Sequence, residues 1–181
     1  GLPPRDGAMQ EYMVHPANLL TILPDSISDE SGVVLEPLAV ALHAVNLAKI
    51  RQGQTVVILG TGVIGTLVLM VLRLYRGVRV VCVDILKERL DRARRMGAVV
   101  APAVSGQAKA AVAGIMRECG PGGADVVFEC AGTDDTLWAM CEVASPAGHV
   151  AIVGTHPENR ISFSSGSARR KGLTLRFVRR S

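Results

Sequence analysis

From residue 36 onward, short apolar runs alternate with stretches whose apolar residues recur at helical spacing. Runs such as Val56-Val-Ile-Leu59 are apolar throughout, as in parallel strands that are buried on both faces. Strands are predicted at 55–59, 79–83, 98–101, 124–129, 148–153 and 173–178, and helices from Glu36 and near 62–75, 87–96, 107–119 and 136–144. Helices between most of the six strands predict an α/β fold with a parallel, doubly wound sheet.

Residues 1–30 have a different character, being rich in Pro, Asp and Ser. The short run 10–14 could form a strand, residues 23–27 have the composition of a turn, and 28–31 resemble a helix entry. We interpret residues 1–30 as a remnant of another domain or a linker, and residues 31–181 as the main domain.

Composition narrows the class of protein. The chain has 181 residues, is 49% hydrophobic and only 3% aromatic, which predicts one domain with an aliphatic core. The net charge of +4 includes a basic cluster around 169–171, but aromatic residues are too sparse there to favour a nucleic-acid surface. Four cysteines without CxxC spacing, and an apolar stretch 63–74 too short to span a bilayer, predict a cytoplasmic protein with no membrane partner.

A glycine motif follows the first predicted strand. Gly60 permits a tight turn, Gly62 lets a backbone approach a pyrophosphate, and Gly65 lets the next helix pack closely. The free N–H groups of that helix's first turn would face the phosphates. Strand, GxGxxG motif and helix together predict a dinucleotide site, whereas the glycines alone would fit any tight strand-to-helix turn.

Asp84 ends the second predicted strand, nineteen residues after Gly65. Its carboxylate would accept hydrogen bonds from the adenosine ribose hydroxyls and repel a 2′-phosphate, which favours NAD over NADP. Lys87 and Arg89 weaken this preference, because they could offer a phosphate positive charge. S-adenosylmethionine-dependent methyltransferases also combine a Gly-rich loop with an acid after the second strand, so they stay an alternative.

The sequence resembles the medium-chain dehydrogenase/reductase superfamily, within it the zinc-dependent polyol branch that includes sorbitol dehydrogenase. The stretches that carry the resemblance are 6–12, 35–38, 55–65, 83–89, 126–132, 152–154 and 169–180. The resemblance implies a Rossmann sheet of order 3-2-1-4-5-6, preceded by a GroES-like catalytic domain of which residues 1–30 would be the tail. It also implies oxidation of a secondary alcohol with NAD, with zinc polarising the alcohol oxygen.

The same resemblance implies positions along the cofactor. Gly62, Val63 and Ile64 would border the pyrophosphate, and Asp84 and Arg89 the adenosine half. The nicotinamide side would be approached by Val153, Gly154, Thr155, Val178, Arg179 and Arg180, and Val40 would pack on the ring. For Val40, Val153 and Val178, ordinary core packing is an equally good interpretation.

Glu36 is the one candidate for a catalytic role. The resemblance implies that Glu36, which precedes Pro37, faces the catalytic zinc in the intact enzyme, and the alternative is a carboxylate that only caps the helix that Pro37 begins. The branch binds zinc through a Cys and a His-Glu pair upstream, and this chain has no Cys before Cys82. We therefore expect no zinc in these 181 residues, and NAD binding without alcohol turnover.

Other functions remain open at this point. A zinc-independent quinone oxidoreductase is the nearest alternative among enzymes, although Glu36-Pro37 argues against it. A non-catalytic nucleotide-binding module is the alternative outside the enzymes. The resemblance also implies a homo-oligomer paired through the sixth-strand edge, where 173–178 is apolar at alternate positions.

Overall fold

The computed structural model describes residues 7–179, so the predicted contact Arg180 lies outside the described residues. The chain forms two compact units, one of residues up to Val34 and one from Leu35 onward. The first unit contains a 3-10 turn, Ala17–Leu19, and one short helix, α1 (Asp29–Gly32), whose first turn is capped by the Ser28 hydroxyl. The helix entry predicted at 28–31 is thus confirmed. Whether this unit belongs to a GroES-like domain stays a prediction.

The strand expected at 10–14 does not form. Residues 10–14 are irregular and exposed, with Tyr12 at 88% and Val14 at 104% of full exposure. A strand needs a neighbouring strand for its backbone hydrogen bonds, and none pairs with this run among the described residues. The prediction was wrong because β-propensity without a partner does not make a strand.

The second unit is built on a single six-stranded sheet. Its strands are β1 (Thr55–Leu59), β2 (Arg79–Asp84), β3 (Val99–Pro102), β4 (Ala124–Glu129), β5 (Ala144–Ile152) and β6 (Thr174–Phe177). The strand order is β3-β2-β1-β4-β5-β6, and every neighbouring pair is parallel. This confirms the predicted doubly wound sheet, whose order reverses between β1 and β4.

Helices cover both faces of the sheet. They are α2 (Leu35–Ala48), α3 (Val63–Leu72), α4 (Lys87–Arg95), α5 (Ala108–Cys119), α6 (Asp134–Val143) and α7 (Ser165–Lys171). Val56 and Ile58 of β1 pack with α2 and α3, while Val57 and Leu59 pack with α5 and α6. Alternate residues of a strand point to opposite faces, so a strand buried on both faces must be apolar throughout.

Two elements differ from the prediction. Helix α7 was not predicted, because its sequence from Ser165 is polar and basic rather than periodic. Strand β5 begins at Ala144, directly after α6, rather than at 148, and its pairing with β4 shifts register between Ala124 and Val126.

The Lys171 ammonium donates to the backbone oxygens of Cys141, Glu142 and Ala144, which satisfies the carbonyl groups at the end of α6.

One helical stretch, Asp29–Ala48, is long and apolar enough by composition to cross a bilayer. This is weak evidence for a membrane span, because core helices of soluble proteins have the same composition. Within it, Ala41, Ala44 and Val45 of α2 are fully buried in the core of the second unit.

Candidate functional site

A cleft of about 340 Å³ opens at the carboxyl ends of β1 to β4, where the strand order reverses. Among the predicted cofactor residues, it brings together Gly60, Gly62, Asp84 and Arg89. Ligands of doubly wound folds bind at this reversal, because adjacent crossovers leave the sheet on opposite faces there. The sequence-based prediction and the tertiary structure therefore indicate the same end of the sheet.

The three motif glycines differ in how much space surrounds them for a side chain. Gly60 has φ +91°, and a Cβ there would lie 2.8 Å from the Cβ of Ala131. A Cβ on Gly65 would lie 1.9 Å from the backbone oxygen of Gly60. A Cβ on Gly62 would meet only the Arg89 Nη1, at 3.9 Å. Gly60 and Gly65 are thus required by the protein itself, whereas the space at Gly62 is open to a ligand.

Val63 and Ile64 begin α3 and directly follow Gly62, which lines the cleft. Val63 is exposed, whereas Ile64 is half-buried against the core. Gly62 occupies the N-cap position without a side-chain hydrogen bond, so the first N–H groups of α3 have no capping side chain. Such N–H groups bind anions through hydrogen bonds and the helix dipole. The position of Val63 and Ile64 is suited to a pyrophosphate, and their contact with one stays a prediction.

Asp84 is buried and accepts hydrogen bonds on both oxygens. Oδ2 accepts from the Thr61 N–H at 2.7 Å and the Thr61 hydroxyl at 3.0 Å, and Oδ1 accepts from the Leu86 N–H at 3.0 Å. The Arg89 Nη1 lies 3.6 Å from Oδ2. Since each carboxylate oxygen has two lone pairs, Oδ1 keeps one free acceptor position for a ligand hydroxyl.

The protonation of Asp84 follows from these contacts. Burial by itself raises the pKa of the Asp84 carboxyl. The hydrogen bonds from Leu86 and Thr61 and, to a smaller extent, the positive charge of Arg89 outweigh burial, so the pKa lies below its usual value. Asp84 is therefore a carboxylate at neutral pH.

The predicted nicotinamide-side residues lie at the ends of β5 and β6. Val153 and Gly154 follow β5, and their N–H groups donate to the backbone oxygen of Glu129 at 2.8 and 2.9 Å. The Val178 N–H donates to the Ile152 oxygen at 2.8 Å, which extends the β5–β6 pairing by one residue. Thr155 and Arg179 are exposed beyond these strand ends. None of these residues lines the cleft of Asp84, so their assignment to the nicotinamide side stays a prediction.

Glu36 lies in the first turn of α2 and is exposed, and Val40, one turn later, is half-buried. Within residues 7–179, no three His, Cys, Asp or Glu side chains converge as a metal site would require. The described residues therefore do not by themselves form a zinc site, and the role of Glu36 toward a metal stays a prediction.

Several residues in or beside the cleft were not predicted from the sequence. Thr61 is buried against Asp84, and the loop after β3 contributes Ala103, Val104 and Ser105. The α6 residue Asp135 also lines the cleft and accepts the Gly106 N–H at 2.6 Å, which ties that loop to α6. The available signal was positional, since loops after neighbouring parallel strands meet at one edge of the sheet.

Cys130 follows β4 and lines the same cleft. Burial, and to a smaller extent the neighbouring Glu129 carboxylate, raise the pKa of the Cys130 thiol. A thiol is nucleophilic only as the thiolate. Cys130 therefore contributes an apolar wall rather than a nucleophile.

Known proteins with similar sequences are dehydrogenases and reductases. Residues 63–181 match a family model described as zinc-binding dehydrogenase. The chain is 37% identical over 175 residues to the D-xylulose reductase of Saccharomyces cerevisiae, covering 96% of this chain and 49% of the relative. Sorbitol dehydrogenase 1 of the same yeast is 34% identical over 156 residues, which cover 84% of this chain and 44% of the relative.

A solved structure extends the comparison to a bound cofactor. It is a protein of Sinorhizobium meliloti described as a zinc-binding dehydrogenase and solved bound to NADP. It superimposes with a TM-score of 0.75 at 32% identity, covering 86% of this chain and 46% of that one. The chain thus spans about half the length of the relatives it matches.

Proposed function

The chain belongs to the zinc-binding dehydrogenase family, and we propose that it is the NAD-binding part of an alcohol or polyol dehydrogenase. Such an enzyme would transfer hydride from a secondary alcohol to NAD. One observation carries the proposal: open space at Gly62 lies between the uncapped start of α3 and the buried carboxylate of Asp84. A dinucleotide needs these three features together. The free N–H groups bind its phosphates, the glycine lets the backbone approach the pyrophosphate, and the carboxylate accepts a ribose hydroxyl.

We propose the following placement of NAD. The pyrophosphate lies over Gly62, Val63 and Ile64, and one adenosine ribose hydroxyl donates to the free position on Asp84 Oδ1. Arg89 is 41% exposed at its side chain and borders the ribose. The nicotinamide half extends toward Val153 to Thr155, Val178 and Arg179, on the β5 and β6 side of the sheet. The cofactor itself supplies hydride acceptance at the nicotinamide ring.

The substrate class is proposed from the relatives. Two of them are named D-xylulose reductase and sorbitol dehydrogenase, and the chain spans about half of each. We therefore propose that the alcohol contacts and the zinc ligands come from a region that corresponds to the other half of these relatives. Glu36 would face that zinc. The 181-residue chain alone would bind NAD without oxidising alcohol.

Residues 7–34 support the same proposal. Met9, Tyr12, Val14, Leu19 and Ile22 are large, apolar and at least 67% exposed. A run of exposed apolar residues is typical of a surface that another part of the protein covers. We propose that this segment is the tail of the GroES-like catalytic domain and that the rest of that domain covers it in the intact enzyme.

Cofactor binding can be tested directly. We expect the 181-residue chain to bind NADH with a dissociation constant in the micromolar range or tighter, and NADPH more weakly, because Asp84 is a carboxylate at neutral pH. The measurement is a titration followed by nicotinamide fluorescence, with S-adenosylmethionine as a competitor. Absence of NADH binding at millimolar concentration, or displacement of NADH by S-adenosylmethionine, would contradict the proposal.

The sixth strand offers a second test, of the proposed homo-oligomer. Because the Val178 N–H faces β5, the Phe177 N–H faces away from the sheet, and the Phe177 side chain is 66% exposed. We expect the chain to dimerise through this edge and F177P to be monomeric, because proline removes an outward-facing donor without breaking the β5–β6 pairing.

The matched control is F177A, which removes the side chain and keeps the N–H group. Light scattering should give a dimer mass for F177A at high concentration and a monomer mass for F177P. A monomeric wild-type chain at the same concentration would show that the edge does not pair.

A further inference from the structure

Glu129, at the end of β4, is a fully buried carboxylate with unequal oxygens. Oε1 accepts three hydrogen bonds, from the Ala131 N–H at 2.9 Å, the Gly132 N–H at 2.7 Å and the Thr136 hydroxyl at 2.8 Å. Oε2 is buried without a hydrogen-bond partner among residues 7–179. Burying an unpartnered carboxylate oxygen destabilises a fold, so the placement of this side chain calls for another explanation.

The unpartnered oxygen points at the loop that follows β5. A Cβ on Gly154 would lie 2.7 Å from Oε2 and 2.5 Å from the Gly132 nitrogen. The backbone oxygen of Glu129 also accepts the N–H groups of Val153 and Gly154. Glu129 therefore holds the loop after its own strand through its side chain and the loop after β5 through its backbone.

The two loops touch again farther from the sheet. Gly132 has φ +66°, and a Cβ there would lie 2.5 Å from the Thr155 backbone oxygen. The His156 Nε2 lies 3.2 Å from Oδ1 of Asp134, the first residue of α6, which joins the loop after β5 to the start of that helix. Gly132 and Gly154 are the points where the two loops touch, and neither leaves space for a side chain. Because the two backbones are in such close contact, the position of one loop determines the position of the other.

Each loop also borders a different half of the proposed cofactor site. Ala131 lines the cleft of Asp84 and would touch a Cβ on Gly60, so it lies on the adenosine side. Val153, Gly154 and Thr155 are the residues proposed above for the nicotinamide side. Glu129 is the side chain that lies between them.

We propose that Glu129 is a positioning residue that aligns the nicotinamide-side loop, Val153 to Thr155, with the adenosine cleft. This inference rests on the proposed function. Its consequence is that Glu129 sets how much affinity the nicotinamide ring adds, while binding of a ligand that lacks this ring depends on Glu129 much less.

The test compares two ligands that differ only in the nicotinamide, NADH and ADP-ribose, by calorimetry on the 181-residue chain. In E129M, which removes all three acceptor contacts at similar size, we expect NADH affinity to fall at least about tenfold and ADP-ribose affinity at most about threefold. E129Q keeps an oxygen for the same three donors, and we expect it to restore the ratio of the two affinities to within about threefold of wild type.

The matched control is E142Q. Glu142 also accepts two side-chain hydroxyls, from Ser164 and Ser167, but it does not line the cleft. We expect both ligands to bind E142Q as they bind wild type. If E129M does not fold, T136V carries the test, because it removes one of the three donors and should lower the same ratio by about threefold.

The outcomes separate this inference from the proposed function. A wild-type chain that binds neither ligand contradicts the proposed function before any variant is made. Equal losses of NADH and ADP-ribose in folded E129M, or an unchanged ratio in T136V, overturn the role of Glu129 alone. Equal affinity of wild type for both ligands also overturns it, because the nicotinamide half would then have no positioned site.

Discussion

Replacing Gly65 by alanine is expected to destabilise the domain by about 3 kcal/mol or more. The added Cβ would lie 1.9 Å from the Gly60 backbone oxygen and 3.2 Å from the Ile58 Cγ2. Neither neighbour can move freely, because Gly60 donates its N–H to the Val83 oxygen and Ile58 is fully buried. Helix α3 must therefore move away from β1. We expect a fall of roughly 6–12 °C in Tm, measured by calorimetry or circular dichroism.

The matched control is G62A, three residues earlier in the same turn. Its Cβ would meet only the flexible end of Arg89, so Tm should change by less than about 2 °C. NADH affinity should nevertheless fall at least about tenfold, because the methyl group occupies the proposed approach to the pyrophosphate. A G65A protein as stable as wild type, or a G62A protein that binds NADH normally, would contradict our assignment of the glycines.

Asp84 carries the second large expected effect. In D84N the ratio of NADH to NADPH affinity should fall by at least about tenfold, since the negative charge that repels a 2′-phosphate is lost. Arg89, 3.6 Å from the carboxylate in the wild-type structure, would then be free to pair with that phosphate. Parallel fluorescence titrations with the two reduced cofactors measure the ratio.

E118Q is the matched control for D84N. Glu118 lies on α5, pairs with Arg79 and does not line the cleft, so E118Q makes the same change in net charge without releasing Lys87 or Arg89. The cofactor ratio of E118Q should equal that of wild type. If D84N and E118Q shift the ratio equally, the preference comes from net charge and not from Asp84.

Stability against pH gives an independent measurement on Asp84. The folded pKa of this carboxyl is lowered, so its charge stabilises the fold above the unfolded pKa of about 4 and this contribution is lost as pH falls through the folded value. We therefore expect wild type to be more stable than D84N at neutral pH. The difference in free energy of unfolding, from urea titrations, should shrink progressively below pH of about 4.

Local sequence determined the elements that are apolar throughout or punctuated by glycine. Strand β1 forms at the predicted residues 55–59, and α4, predicted near 87–96, spans Lys87–Arg95 and is soon followed by Gly97 with φ +89°. These predictions succeeded because burial on both faces and positive φ each demand particular residue types at particular positions. The family resemblance was likewise readable from the motifs, and the comparisons confirm it.

The sequence alone determined that this chain folds as a doubly wound sheet with a nucleotide-type turn at Gly60 to Gly65, because those patterns are local. Only the tertiary structure decided which groups pair with Asp84, that 10–14 forms no strand, and that Glu129 joins two loops. Thr61 and Asp84 are 23 residues apart, and Gly154 lies 25 residues after Glu129. Hydrogen bonds and steric contacts over such separations depend on how parallel strands bring their ends together, which no local pattern encodes.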